Sequence, residues 1–210
     1  MGRMDYTKHL KLEFRRKFWK ILGAAIDVRD ADSQDQVGYI EMKAWVLRED
    51  VRLYTDQSKQ HELLRIHART IIDFGATYDV YEGSSDTVLY SMRRKGLRSM
   101  FIRDRWDIYD AKDTLIAGLQ ETSSGLALVR RYVGLIPIVG FVAELVLMVA
   151  PLTYTITPAG STVSGARLTH RKNPIIVKMG LDMSDGDGKL DPRIGVSMAA
   201  LLGVIDATKN

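Results

Sequence analysis

The chain has 210 residues, 46% of them hydrophobic, with 30 Lys and Arg against 26 Asp and Glu and no cysteine. That length supplies one large domain, or two small ones, with a real core, and the lack of cysteine excludes a disulfide framework, thiolate metal sites and cysteine nucleophiles. A formal net charge of +4 steers weakly toward anionic surfaces and falls well short of a nucleic-acid tail, so no specific nucleic-acid binding is expected.

The first residues, "MGRMDYTKHLKLEFRRKFWKIL", lack the short basic region, apolar core and small-residue cleavage site of a secretory signal. The expected location is the cytoplasm, either in solution or peripheral to a membrane. Within this basic segment, 1–20, Lys11, Arg15, Arg16, Lys17 and Lys20 interleave with Leu10, Phe14, Phe18 and Trp19. As a helix it would be a basic amphipathic anchor that contacts anionic lipid; as a strand its charges would form a solvated face.

Next come hairpins. "YDVYEGSSDTVLYSMR" from Tyr78 and "WDIYDAKDTLIAGLQ" from Trp106 superpose once one turn residue is deleted. Each has an aromatic residue, Asp, a β-branched residue and Tyr, then a polar turn ending in Asp-Thr, then a second apolar run, which is the pattern of a β-hairpin. Looser copies start at Ile26, Val51 and Leu152, and "PIIVKMGLDM" from Pro174 is a further strand that the N-terminal segment could partner. Six strand pairs predict a mainly β protein built as a closed antiparallel barrel, because closure removes exposed edges.

Between the fourth and fifth hairpins lies "LALVRRYVGLIPIVGFVAELVLMVAPL", from Leu126 to Leu152. It is long enough to cross a bilayer, with Arg130 and Arg131 at one end. Gly134, Pro137, Gly140 and Glu144 oppose that, and a single span would leave the two halves of one barrel on opposite faces. We expect a helical apolar insertion at 124–151 that packs over the barrel, forms an interface between copies, or dips into a membrane.

The acidic turn "DMSDGDGKLD" carries Asp182, Asp185, Asp187 and Asp191, hard oxygen donors of the kind calcium takes. Asp185, Asp187 and Asp191 are the candidate calcium ligands, although the EF-hand spacing fails and a Gly-rich turn explains the same residues. Asp191-Pro192 then starts a helix. From Ile194 to Ile205 it has no charge and no polar face, so it needs apolar surroundings on every side; at about 20 Å it is too short for a bilayer. It is therefore expected inside the barrel, as a central helix over 191–207.

The hairpins at Tyr78–Met92 and Trp106–Leu119 and the ending "LDPRIGVSMAALLGVID" resemble the tubby C-terminal-like superfamily, which includes the LURP-one-related proteins and the phospholipid scramblases. The resemblance implies about twelve strands around a hydrophobic C-terminal helix, and so a single domain over 1–210. It implies no single activity, since members bind phosphoinositides or are linked to calcium-dependent lipid movement.

No catalytic constellation stands out. His61 and His67 are about 20 Å apart on one strand face, too far to share a metal, and "GSTVSGAR" from Gly160 lacks the Lys of a phosphate loop. The expected function is non-enzymatic binding to anionic membrane lipid or phosphorylated headgroups. Arg130 and Arg131 join the five N-terminal cations as candidate contacts. The alternatives are a homo-oligomeric structural protein joined through 126–152 and a calcium-linked scramblase, calcium being the only cofactor considered.

Overall fold

The computed structural model describes residues 8–17, 23–43, 50–70, 75–95, 105–122, 151–171 and 178–207. They form twelve strands and one helix: β1 (Lys11–Lys17), β2 (Gly23–Asp30), β3 (Gln36–Lys43), β4 (Asp50–Tyr54), β5 (Glu62–Thr70), β6 (Thr77–Glu82), β7 (Val88–Arg94), β8 (Arg105–Asp110), β9 (Leu115–Glu121), β10 (Leu152–Pro158), β11 (Ala166–Arg171), β12 (Lys178–Asp182) and α1 (Pro192–Ala207). Each strand pairs with the next in sequence, and β1 pairs with β12 to close the barrel.

The five hairpins expected from the sequence are β2–β3, β4–β5, β6–β7, β8–β9 and β10–β11, all antiparallel. The sixth pair is the N-terminal segment with the strand after Pro174, running from Lys11↔Asp182 to Arg15↔Lys178. Of the two readings of the basic segment, the strand holds over Lys11–Lys17. The expected insertion at 124–151 lies, all but its last residue, outside the described residues.

Closure follows from side-chain alternation, because successive residues of a strand face opposite sides of the sheet. Leu12 and Phe14, Tyr78 and Val80, Trp106 and Ile108, and Ile156 and Leu168 turn inward and are buried in one cluster with the residues of α1. Val196, Met198, Ala199, Leu201 and Val204 are all 0% exposed, and burial on every side is what a helix without a polar face requires. Each large apolar side chain taken from water this way contributes about 1.5–3 kcal/mol.

Small residues let the helix approach the wall. A Cβ on Gly195 would lie 3.1 Å from Met183 Sδ and 3.2 Å from Leu181 Cδ1, tight enough that those side chains would have to give way by a few tenths of an ångström. The one hydroxyl in the helix interior is satisfied: Ser197 donates to the Ile194 carbonyl at 3.1 Å and lies 2.9 Å from the Tyr90 hydroxyl, as a buried polar group must be.

Asp191 starts α1 as expected. Its Oδ1 accepts the Arg193 N–H at 2.9 Å, filling one of the donors that a helix start leaves open. In an up-and-down barrel the connections alternate between two rims. The turns at 31–35, 55–61, 83–87, 111–114 and 159–165 therefore share one rim with the segment at 183–191, from which α1 rises through the barrel. Among the described residues no helix is long and apolar enough to cross a membrane.

Truncating the core of this helix should be severe. Leu201→Ala is expected to lower the unfolding free energy by about 2–5 kcal/mol and Asp191→Ala by about 1 kcal/mol, read from urea denaturation midpoints; a loss under half a kcal/mol for Leu201→Ala would contradict a packed central helix.

Candidate functional site

On the outer wall, where β11, β12 and β1 lie side by side, alternation and register build a charged surface. Leu12, Phe14, Met179, Leu181, Leu168 and His170 are buried, so the residues between them face outward. Pairing aligns those outward residues in rows across three strands: Lys11, Asp182 and Arg167; then Glu13, Gly180 and Thr169; then Arg15, Lys178 and Arg171.

Gly180 has no side chain to fill the middle of this grid. The result is a groove of about 210 Å³ with main chain at its floor, lined by four cations, Lys11, Arg167, Arg171 and Lys178, and two carboxylates, Glu13 and Asp182. A Cβ at Gly180 would meet its nearest neighbour, the Thr169 carbonyl oxygen, at 3.8 Å. That is ordinary contact, so the wall tolerates a side chain there and the gap belongs to the sequence.

Two of these side chains are tied to neighbours. Arg15 donates from Nε to Glu13 Oε2 at 2.6 Å, its Nη2 also meets that oxygen, and it reaches Gln34 Oε1 at 2.5 Å; Lys178 Nζ stands 3.7 Å from Glu13 Oε1. The Asp182 carboxyl lies below its ordinary range: burial pushes it up, but the Ser184 hydroxyl and N–H, then the fields of Lys11 and Arg167, more than offset this. Lys11, Arg167 and Arg171 form no ion pair among the described residues. Chemically, three cations that form no ion pair beside an open floor, two of them flanking Asp182, suit charge-assisted hydrogen bonds to phosphate or carboxylate oxygens.

Of the seven cations singled out in the sequence, Lys11 lines the groove and Arg15 adjoins it. Arg16 shares the inward alternation of Leu12 and Phe14, and its Nε is buried, so it does not belong to the same surface. Lys17 ends β1, while Lys20, Arg130 and Arg131 lie outside the described residues. Arg167, Arg171 and Lys178 were missed; the alternation in "ARLTHR" and "KMGLD" was the only trace they left.

In the acidic turn Asp187 and Asp191 each have a local task. Asp191 binds Arg193 through both oxygens as well as capping α1, and Asp187 accepts the Lys189 N–H at 3.2 Å and pairs with its ammonium at 2.8 Å. Asp185 is exposed. Among the described residues no group of three His, Asp or Glu is placed to hold a metal ion, so the turn does not gather Asp185, Asp187 and Asp191 into one ligand set.

The Asp repeated in the hairpins has a structural part. Asp79 and Asp107 face outward yet are 6% and 2% exposed, covered by the cations that bind them. Arg69 takes both oxygens of Asp79 at 2.9 and 2.7 Å with the Ser91 hydroxyl at 2.6 Å, and Lys95 Nζ stands 2.6 Å from Asp107.

A model of the LURP-one-related family matches residues 36–133. Over that stretch the chain is similar to the LURP-one-related family. Domains of this family belong to the tubby C-terminal-like superfamily, in keeping with the closed barrel and its central helix. The match takes in β3 to β9; β1, β2, β10 to β12 and α1, which complete the barrel, lie outside it, and so does the groove. No curated protein and no solved structure matches the chain.

Beside the groove, Asp30 organises the β2–β3 turn. The Ser33 N–H, then the His9 ring, then the Asp32 N–H hold its carboxyl down to about 2. A carboxyl depressed in the fold adds stability above its unfolded value of 3.8 and loses it as pH falls through the folded value. Stability measured by urea at successive pH values should thus fall more steeply between about pH 4 and 2 in the parent than in Asp30→Asn; parallel profiles would contradict the assignment.

Proposed function

We propose that this barrel is a non-enzymatic binding module whose ligand is an anionic, phosphate-bearing group, supplied by a membrane surface or a phosphorylated headgroup. The observation that carries the reading is the groove over Gly180, where Lys11, Arg167 and Arg171 face an open main-chain floor and form no ion pair among the described residues. Desolvating such cations is repaid when an anion with several acceptor oxygens replaces their water.

The hairpin rim next to the groove favours the membrane form of this ligand. Leu10, 55% exposed, directly precedes Lys11, and Val163, 47% exposed, sits in the turn before the strand that carries Arg167. Large apolar side chains held in water beside cations fit an anionic lipid interface, where both kinds of group gain. The location that follows is peripheral, at the surface of an anionic membrane.

Co-sedimentation with vesicles at low salt tests this. Binding should require anionic lipid and weaken as salt rises. Removing two cations in Arg171→Ala/Lys178→Ala should weaken it about 30-fold, at about 1 kcal/mol per charge. Gly180→Leu should fold and lose most of its affinity by filling the groove. Equal binding to neutral and anionic vesicles would sink the reading.

A further inference from the structure

The wall nearly opposite the groove, where β4, β5 and β6 lie side by side, carries a second opening. Val51, Leu53, Leu64, Ile66 and Val80 are buried there, so the residues between them face outward. Pairing sets Asp50 against His67, Arg52 against Arg65, and Arg65 against Tyr81. With Asp86 from the β6–β7 turn, these residues line a gap of about 340 Å³, at the small end of the range for ligand sites.

Like charges directly opposite each other work against strand pairing, and here the two arginines turn apart. Arg52 turns to Asp50, with Nε at 2.9 Å and Nη2 at 2.8 Å from Oδ2, and its Nη1 stands 3.3 Å from Glu62 Oε2. Arg65 turns the other way, 4.7 Å above the centre of the Tyr81 ring. Its Nη2 donates to the Ser85 carbonyl at 2.8 Å and stands 3.4 Å from Asp86 Oδ1. Their divergence leaves room between them.

All six lining residues carry hydrogen-bonding side chains, and part of that capacity is unspent. Among the described residues, Arg65 Nε and Nη1, the His67 ring and the Tyr81 hydroxyl make no hydrogen bond. His67 is exposed, and the carboxylate opposite it on β6, Asp79, is already bonded by Arg69 and Ser91.

The charges lining the gap cancel, Arg52 and Arg65 standing against Asp50 and Asp86. A charged ligand therefore meets little net field, and to bond strongly it must break the Arg52 pair with Asp50 or draw Arg65 from Asp86. A hydroxyl needs to break neither, because it donates to a carboxylate and accepts from a guanidinium at once. A ring with several adjacent hydroxyls does this at more than one point.

We propose that this gap binds a neutral sugar, with hydroxyls bridging the Arg65–Asp86 and Arg52–Asp50 pairs and with His67 and Tyr81 supplying further donors and acceptors. The site is separate from the phosphate-binding groove and does not depend on it.

Heteronuclear NMR of the full chain tests this, with glucose, galactose, mannose, maltose and cellobiose as probes and glycine, ammonium and sulfate as charged controls. At least one sugar is expected to shift the His67 ring and Tyr81 signals saturably, with a millimolar dissociation constant, and more strongly than any charged control. Arg65→Ala and, separately, His67→Ala should each weaken that sugar about ten-fold, the effect of losing one or two hydrogen bonds. Both side chains point away from the core, and circular dichroism checks that the variants fold; their vesicle binding through the groove should be unchanged.

A charged control that perturbs His67 and Tyr81 as strongly as the best sugar overturns the proposal. So does a sugar response that survives in both variants, or no response to any of the sugars. None of these outcomes bears on the groove, whose own test is the vesicle series.

Discussion

A helix that is apolar all the way round can be stable in water only if something covers every side of it, and here twelve strands do so. Single-sheet packing would leave half of α1 exposed, and a helical partner would cover one stripe. A closed wall meets the requirement, and its closure joins β1 to β12, the strands farthest apart in sequence. The inner face of each strand is then committed mainly to apolar residues. The outer face is left to charge, and the surface chemistry of the protein is written in the alternate residues of strands whose other residues hold the helix.

That division explains why the same hairpin pattern recurs without repeating a site. Tyr78 and Trp106, 5.9 Å apart between ring centres, fill the interior, while the Asp after each faces out beneath a cation. Isolated carboxylates at such buried positions would be costly; bidentate Arg69 on Asp79 makes the position tolerable and ties β5 to β6. Among the described residues, the β11–β12–β1 wall sets four cations against two carboxylates around an unfilled floor.

Most of the architecture was legible in the sequence because it depends on local signals. Period-two alternation marked the hairpins, polar turns marked their ends, and Asp191-Pro192 with the uncharged run after it marked the helix. The groove was not, because it depends on register between segments more than 150 residues apart: Arg15 and Lys178 become neighbours only when the barrel closes. Lys11 and Arg15 drew notice through the basic N-terminal run. The same run also offered Arg16, which the strand turns the other way, so a charge cluster that looks continuous in sequence is split between two faces of one wall. The acidic turn shows how local contacts use such residues. Its four Asp residues crowd together in sequence, yet Asp191 and Asp187 each serve the residue two positions on, as short polar side chains commonly do.

The position of α1 in the chain has a consequence for how the protein is made. Synthesis proceeds from the N-terminus, and all twelve strands precede the element that fills them. Until α1 emerges, the nascent sheet has an apolar inner face with nothing to pack against, and its first and last strands cannot yet seal each other. The hairpin pairings are local, but the β1–β12 closure joins opposite ends of the chain, so the barrel can be sealed only after its last strand is made. The interval between the emergence of β1 and that of α1 is when this protein is most exposed to aggregation, and its folding efficiency in the cell will be set by what shields the open sheet during translation.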